Sequence, residues 1–419
     1  MRSLEEVKAE ILGSVSPLAP VVVPAGDALG LVLAETVRAA EAVPPFANTA
    51  MDGYALRCAD TAGATEDAPV TLNVVGDLPA GYAPSVDVGP GEAVRIMTGA
   101  PIPDGADSII PVERTSRDCA TRVQVHAEVK LNDHIRPVGG DVLPGDAVFA
   151  QGDVLGPASI GVLSSLAVSS VRVYPRPRVA VISTGDELVE GGGALAPGQI
   201  RDSNRPMLLA MVTDAGCEAI DLGIARDDES ALEEALLDAA DKYDAIVTSG
   251  GVSVGDYDVV KAVLARIGVL VWSQVAIKPA KPLAFGVIGS TPIFGLPGNP
   301  VSSNISFELF ARPALRVMAG HTVLERPVVD AVATADFGRR SDGKIHFDRV
   351  TVSLGAAGFT AERSGGQGSN VLSAMAHANG LAILPDGDGV EAGGSLRVML
   401  LTDHFSYPEG SEFSGAPRT

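Results

Sequence analysis

Cysteine, histidine and lysine are all scarce in this 419-residue sequence, and each scarcity removes a class of function. The three cysteines, Cys58, Cys119 and Cys217, are odd in number and far apart. They make neither a disulfide framework nor a thiolate zinc site. The six histidines are scattered, and none falls in an HxxxH or HExxH spacing. No run of about 18 apolar residues exists, so no membrane-spanning helix is expected. The opening, "MRSLEEVKAE", is acidic and amphipathic, unlike a signal peptide. Bases are outnumbered, 31 against 52 acids, for a net charge of −21. Such a chain lacks the cationic face that non-specific nucleic-acid binding requires, although a small basic pocket stays possible. A soluble cytoplasmic protein is the expectation.

What is present is ample apolar material, 46% of the residues, in a length that suggests roughly two to four domains. "SLEEVKAEILGSV" places Ser3 three residues before Glu6, a capping box ahead of helically spaced Val7, Ile11 and Leu12. From residue 50 to about 140, short β-type runs alternate with Gly/Pro turns and read as a small all-β unit. From Pro177 strands alternate with helices: "RVAVIS", "SNRPMLLAMVTDAG", "CEAIDLG", "DESALEEALLDAADKY", "DAIVTS", "VVKAVLARIG". That alternation predicts βαβ units and a parallel sheet covered on both faces. "PVSSNISFELFARPALRVMAG" reads as a long helix with Pro300 in its first turn and an interruption at Pro313. From about Arg326 the pattern is β again.

Ligands of open α/β sheets bind outside the carboxyl ends of the strands, and the unusual residues collect there. One strand ends in Thr184, Gly185, Asp186 and Glu187, and another is followed by Arg226, Asp227 and Asp228. A third ends in Gly250, Gly251 and Ser253, within "TSGGVSVGDYD", and a fourth in Gly298, Asn299 and Pro300. Glycine backbone and helix starts make an anion cradle. Singly, each stretch is equally an ordinary turn or cap. Of only seven lysines, two stand three apart in "AIKPAKP": Lys278 and Lys281, each followed by proline. They read either as surface lysines or as a stiff cationic claw for an oxyanion. Asp186, Glu187, Asp227, Asp228, Asp256 and Asp258 are oxygen donors of the type Mg²⁺ takes, and Asp186 and Asp228 are equally helix caps. In "PPFANTAMDGYALR", Asp52 and Gly53 make a turn into a strand.

Taken together, "AMDGYA", "IMTGAPIPDGAD", "STGDEL", "IRDSNRPML", "LGIARDD", "SGGVSVGDYDVVK", "AIKPAKPLAFG", "GLPGNPVS" and "GGQGSNVLSAMAHANGLAILP" resemble the MoeA family of molybdopterin molybdenumtransferases. The C-terminal part of gephyrin is similar to the same family. The matching stretches run in family order over nearly the whole chain.

The resemblance implies a multidomain fold: a central α/β molybdopterin-binding domain with a parallel-rich sheet, an inserted small β domain and a C-terminal β-barrel-like domain. The expected boundaries are 1–48 with 141–176 for an elongated N-terminal region and 49–140 for the insertion. They continue with 177–322 for the α/β domain, 323–404 for the C-terminal domain and 405–419 for a disordered tail. The resemblance also implies a homodimer whose site joins the α/β domain of one subunit to the inserted region of the other.

The implied reaction inserts molybdate into adenylylated molybdopterin, with Mg²⁺ assisting and AMP leaving. Asp52, Asp141, Glu187, Asp228 and Asp258 are the implied catalytic acids, the last three also metal ligands. Thr98, Ser183, Thr184, Gly185, Asp202, Asn204, Gly250, Gly251 and Ser253 are implied substrate contacts. So are Lys278, Lys281, Pro297, Pro300, Arg349 and Ser369. A molybdopterin adenylyltransferase and apo-molybdoenzymes are the implied partners. Alternatives are a gephyrin-type receptor scaffold, or molybdopterin adenylyltransferase activity. The family has glycine where this chain has Ala280; a positive φ there would cost alanine about 1 kcal/mol, and a negative φ nothing.

Overall fold

A computed structural model of the chain describes residues 1–119, 121–251 and 259–402. The tail residues 405–419 lie outside them. The chain forms two compact units. One comprises Met1–Val21, Gly30–Ala34 and the chain from Arg172 onward; the other comprises Val22–Leu29 and Glu35–Val171.

The first unit is built on a six-stranded sheet. Its order is Glu218–Ala225, Arg178–Thr184, Ala245–Ser249, Thr291–Leu296, Pro282–Ile288, Val269–Gln274. The first four strands run parallel, and the last two pair antiparallel. The central strands Ala245–Ser249 and Thr291–Leu296 are buried along their whole length and mostly apolar because both faces are covered, whereas the edge strand Glu218–Ala225 carries Glu218 and Asp221. Val179, Val181, Ala245, Val247, Phe294 and Leu296 face one core; Ala180, Ile182, Ile246 and Ile293 face the other. The first core takes the helices Leu4–Gly13, Asn204–Asp214 and Pro300–Ser306. The second takes Glu229–Lys242 and Val259–Ile267.

The capping box forms as the sequence predicts: Ser3 Oγ accepts from the Glu6 amide, and the Glu6 carboxylate accepts from the Ser3 amide. Past Pro300 the helix does not simply kink. It widens into a π turn, Phe307–Ala311, and resumes as Arg312–Met318. Proline at 313 has no N–H to donate and its ring crowds the carbonyl four residues earlier, so the wider turn absorbs it.

The C-terminal strands Ile345–Gly355, Gly358–Arg363, Val328–Ala333, Ser395–Leu400 and Gly380–Leu384 pair in that order. Antiparallel pairing of Gly380–Leu384 with Ile345–Gly355 then closes a five-stranded barrel. Closure removes the unpaired edges. Val350, Val352, Ala382, Leu396 and Val398 fill the interior.

The second unit holds an all-β sheet of six strands within Gly53–Val125. Two further segments lie alongside each other there. Thr49 and Ile135 are register partners, and the Gly139 and Asp141 amides donate to the carbonyls of Pro44 and Val43.

Candidate functional site

A cleft of about 300 Å³ opens at the carboxyl ends of the parallel strands. Thr184, Gly185, Glu187, Asn204, Gly250 and Pro300 contribute to its wall, so four separated stretches of sequence converge there. Gly250 must be glycine: its φ is +98°, and a Cβ would lie 2.6 Å from the Thr184 carbonyl oxygen. Gly251, at φ +66°, would drive a Cβ to 2.7 Å from Val260. Ser253 and Asp258, from the same stretch, lie outside the described residues, as does Asp256.

Asn204 begins its helix with the side chain locked. Its Nδ2 donates to Ser249 Oγ and to the Gly298 carbonyl, both at 2.7 Å. A carbonyl only accepts, which fixes the amide orientation. Asp202 is held more tightly, its side chain 2% exposed. Oδ1 accepts from Ser183 Oγ (3.1 Å) and the Arg205 amide (3.2 Å); Oδ2 faces Arg205 Nε at 3.1 Å. Ser183 is fully buried. Ser183 therefore shapes the cleft from behind, through Asp202, which is part of its wall.

The acids divide by position. Asp228 caps the helix Glu229–Lys242, its Oδ1 accepting from the Ser230 and Ala231 amides at 2.9 and 3.0 Å. Asp227, one residue earlier, lines the cleft with Glu187. Asp186 and Asp227 each accept from the other's amide at 3.4 Å. Among the described residues no three His, Cys, Asp or Glu side chains gather as a metal-ligand set. Glu187 and Asp227 are carboxylates on the cleft wall, of the oxygen-donor type that could hold a Mg²⁺ ion together with phosphate and water. The sequence offers Asp227 as one of six candidate oxygen donors at the strand ends. The cap rule, an acid ahead of "ESAL", is what separates it from Asp228.

A second cavity of about 480 Å³ lies beside the barrel. Lys278, Arg339, Arg340, Arg349 and Arg363 line it against only Asp342 and Asp348, a local excess of positive charge in a strongly acidic protein. Arg363 pairs with Asp348 and Arg339 with Asp342, whereas Lys278 and Arg340 have no carboxylate partner among the described residues. Arg349 is 0% exposed. Its Nη2 donates to the carbonyls of Gly366 (2.8 Å) and Gly368 (3.1 Å), while Nε and Nη1 have no partner among the described residues. Burial pulls the Arg349 pKa down, opposed by Asp348.

The loop that holds Arg349 continues to Ser369, whose carbonyl accepts from the Val301 amide at 3.1 Å, at the helix start beside Pro300. Cleft and cavity thus share one connecting loop. Pro297 is buried at the end of its strand, and Lys281 is exposed just ahead of Pro282. Ala280, between the lysines, has φ +75° and is 3% exposed.

In the second unit, Thr98 donates its amide and its hydroxyl to Asp52 Oδ1, each at 2.7 Å. Those two bonds hold the Asp52 carboxyl below its ordinary pKa. Asp141 is exposed, on the segment paired with residues 43–50.

Three family models match the chain: the MoeA N-terminal region (domain I and II) over residues 2–167, a probable molybdopterin binding domain over 180–317, and the MoeA C-terminal region (domain IV) over 332–401. The chain is 41% identical over 410 residues to molybdopterin molybdenumtransferase 2 of Mycobacterium tuberculosis, across 96% of this chain and 100% of that one. It is 37% identical over 375 residues to the molybdopterin molybdenumtransferase of Haemophilus influenzae, across 89% and 91%. The crystal structure of the molybdopterin biosynthesis MoeA protein of Pyrococcus horikoshii is similar in three dimensions, with TM-score 0.80 and 29% identity. That likeness covers 96% of this chain and 100% of the other.

Proposed function

The chain belongs to the MoeA family, and we propose that it inserts molybdate into adenylylated molybdopterin and releases AMP. The observation that carries this reading is the half-satisfied guanidinium of Arg349, buried in a cationic cavity whose loop reaches the strand-end cleft. A buried unpaired charge is costly, so its retention there fits an anionic ligand. Molybdate is such an anion, and Lys278 supplies a second, exposed charge for it, with Lys281 close by in the chain.

In this reading the cleft takes the pterin and its phosphates. Gly250 and Gly251 let the main chain approach them, and the helix start at Pro300 adds its partial positive charge. Asn204, Thr184 and Gly185 shape the wall. Glu187 and Asp227 are the carboxylates that face the phosphates; Asp258 joins them from the family resemblance. Mg²⁺, when bound, neutralises phosphate charge during phosphoanhydride hydrolysis. The protein contributes positioning and charge neutralisation, with no covalent intermediate.

Asp52, Thr98 and Asp141 are proposed to serve a second copy of the chain in a homodimer. Phe46, Met51, Val138 and Leu143 are exposed large apolar side chains on the paired segments around them, which supports a covered face. We place the protein in the cytoplasm, receiving its substrate from a molybdopterin adenylyltransferase and passing product to apo-molybdoenzymes.

The test is direct. Purified protein, adenylylated molybdopterin, Mg²⁺ and molybdate are combined, and AMP is measured by chromatography. Molybdate-dependent AMP release is expected; its absence would sink the reading.

A further inference from the structure

Arg205 sits in the first turn of the helix Asn204–Asp214, and no stretch of the functional reading above gives it a role. Its side chain is 8% exposed and meets three carboxylates from three places. Nε faces Asp202 at 3.1 Å, Nη1 donates to Asp221 on the strand Glu218–Ala225, and Nη2 pairs with Glu190. Asp221 belongs to the frame of the sheet, and Asp202, next after Arg201, belongs to it through the bond from Ser183 Oγ. Glu190 does not: it opens an excursion, Glu190–Gln199, "EGGGALAPGQ", that leaves the cleft wall after Leu188–Val189 and returns at Ile200–Arg201.

This strap has almost nothing of its own to hold it. Gly191, Gly192 and Gly193 carry no side chains to bury, and ordering glycine costs more backbone entropy than ordering any other residue. It is tied instead by guanidinium groups. Arg201 donates to the carbonyls of Gly191 and Gly193, and Arg205 grips Glu190. At its base Leu188 and Ile200 are register partners, and both line the cleft. Ile200 is 53% exposed, an aliphatic surface that a flat ring laid in the cleft would cover.

We propose that Arg205 is a positioning residue that latches this strap through Glu190, so that Leu188 and Ile200 form an apolar wall for the bicyclic pterin ring. The inference rests on the functional reading above and deepens it: the strap reads the ring, and the cationic cavity holds the oxyanion. The three-pronged grip needs arginine, because lysine offers one point charge and no planar fork.

Binding of adenylylated molybdopterin, followed by pterin fluorescence, tests it in the full-length protein. Glu190→Gln, Ile200→Ser and Arg205→Lys are each expected to raise the pterin Kd about tenfold or more. The molybdate Kd, measured separately by calorimetry, is expected to stay unchanged. Melting temperature should hold for Glu190→Gln and Ile200→Ser, whose side chains are largely exposed. The double variant Glu190→Gln with Arg205→Lys should bind no worse than the weaker single variant, since both break one latch. Unchanged pterin affinity in Glu190→Gln and Ile200→Ser overturns the inference while the functional reading stands. A fall in melting temperature that tracks the loss of binding also overturns it, by marking a purely structural role. A wild-type protein that fails to bind the pterin defeats the functional reading, and this inference with it.

Discussion

Thr98 directs both its amide and its hydroxyl at one oxygen of Asp52, across 46 residues of sequence. Two donors on one carboxylate oxygen favour the charged form and lower its pKa. The folded value therefore lies below the unfolded one, near 4. Any stability this contributes is present above the unfolded pKa and is lost as pH falls through the folded value. Thr98→Val removes the hydroxyl and keeps the amide. A ¹³C carboxyl titration should show the Asp52 pKa rising toward, without reaching, its ordinary value. An unmoved titration would show that the hydroxyl bond does not act on the carboxylate.

Ala280 holds a left-handed backbone, φ +75°, between the two lysines of "KPAKP". That costs alanine about 1 kcal/mol relative to glycine. Its methyl is buried, however, which returns up to about 0.8 kcal/mol. The two effects nearly cancel, so Ala280→Gly should change unfolding free energy by less than about 1 kcal/mol. Ala280→Val adds a branched Cβ in the same conformation and in a packed core, and should destabilise by about 2 kcal/mol or more. Denaturant melts of the pair decide the matter: a well-tolerated valine would contradict the left-handed assignment.

Arg349→Met replaces a buried, half-satisfied charge with an apolar side chain of similar length. Relief of the unpaired charge favours the variant by about 1–4 kcal/mol. Loss of the bonds to the Gly366 and Gly368 carbonyls opposes this by about 1–3 kcal/mol for each group left unpaired. The variant should therefore fold, while its molybdate Kd rises more than about tenfold, the loss of one charge-assisted contact. Calorimetric molybdate binding equal to wild type would remove Arg349 from the oxyanion site.

The cysteines should react in a fixed order. Hydrogen bonds from Thr121, helped by Arg122, lower exposed Cys119 to about 7, whereas burial raises Cys217 to about 12. The thiolate is the nucleophile, so iodoacetamide at neutral pH should label Cys119 first and Cys217 only after unfolding. Peptide mass spectrometry gives the order, and early labelling of Cys217 would contradict its buried position.

Much of the architecture was legible because it follows from local rules. Alternating strands and helices specified the two-faced sheet, and Ser3 with Glu6 specified the first cap. Pro313 marked an interruption, but its form, a π turn, depended on how the buried helix packs. Strand-end glycines located the cleft because parallel topology carries them to one rim. The C-terminal barrel was expected from the family resemblance and is borne out; the β-type runs alone do not give its closure, since pairing of Ile345–Gly355 with Gly380–Leu384 is a long-range choice among many β segments. Asp227 and Asp228 are adjacent acids; the cap alternative weighed for Asp228 is the one that forms, and Asp227, one residue earlier, lines the cleft. Arg205 was invisible because its partners at 190, 202 and 221 meet only in the folded chain.

The division of labour between an anion cavity and a strand-end cleft is the centre of the account. Crystals soaked with molybdate and AMP, with diffraction recorded at the molybdenum absorption edge, test it most directly. An anomalous peak is expected in the cavity of Lys278 and Arg349, and AMP in the cleft of Gly250 and Glu187. Molybdenum bound elsewhere on the chain, or AMP bound away from that cleft, would contradict it.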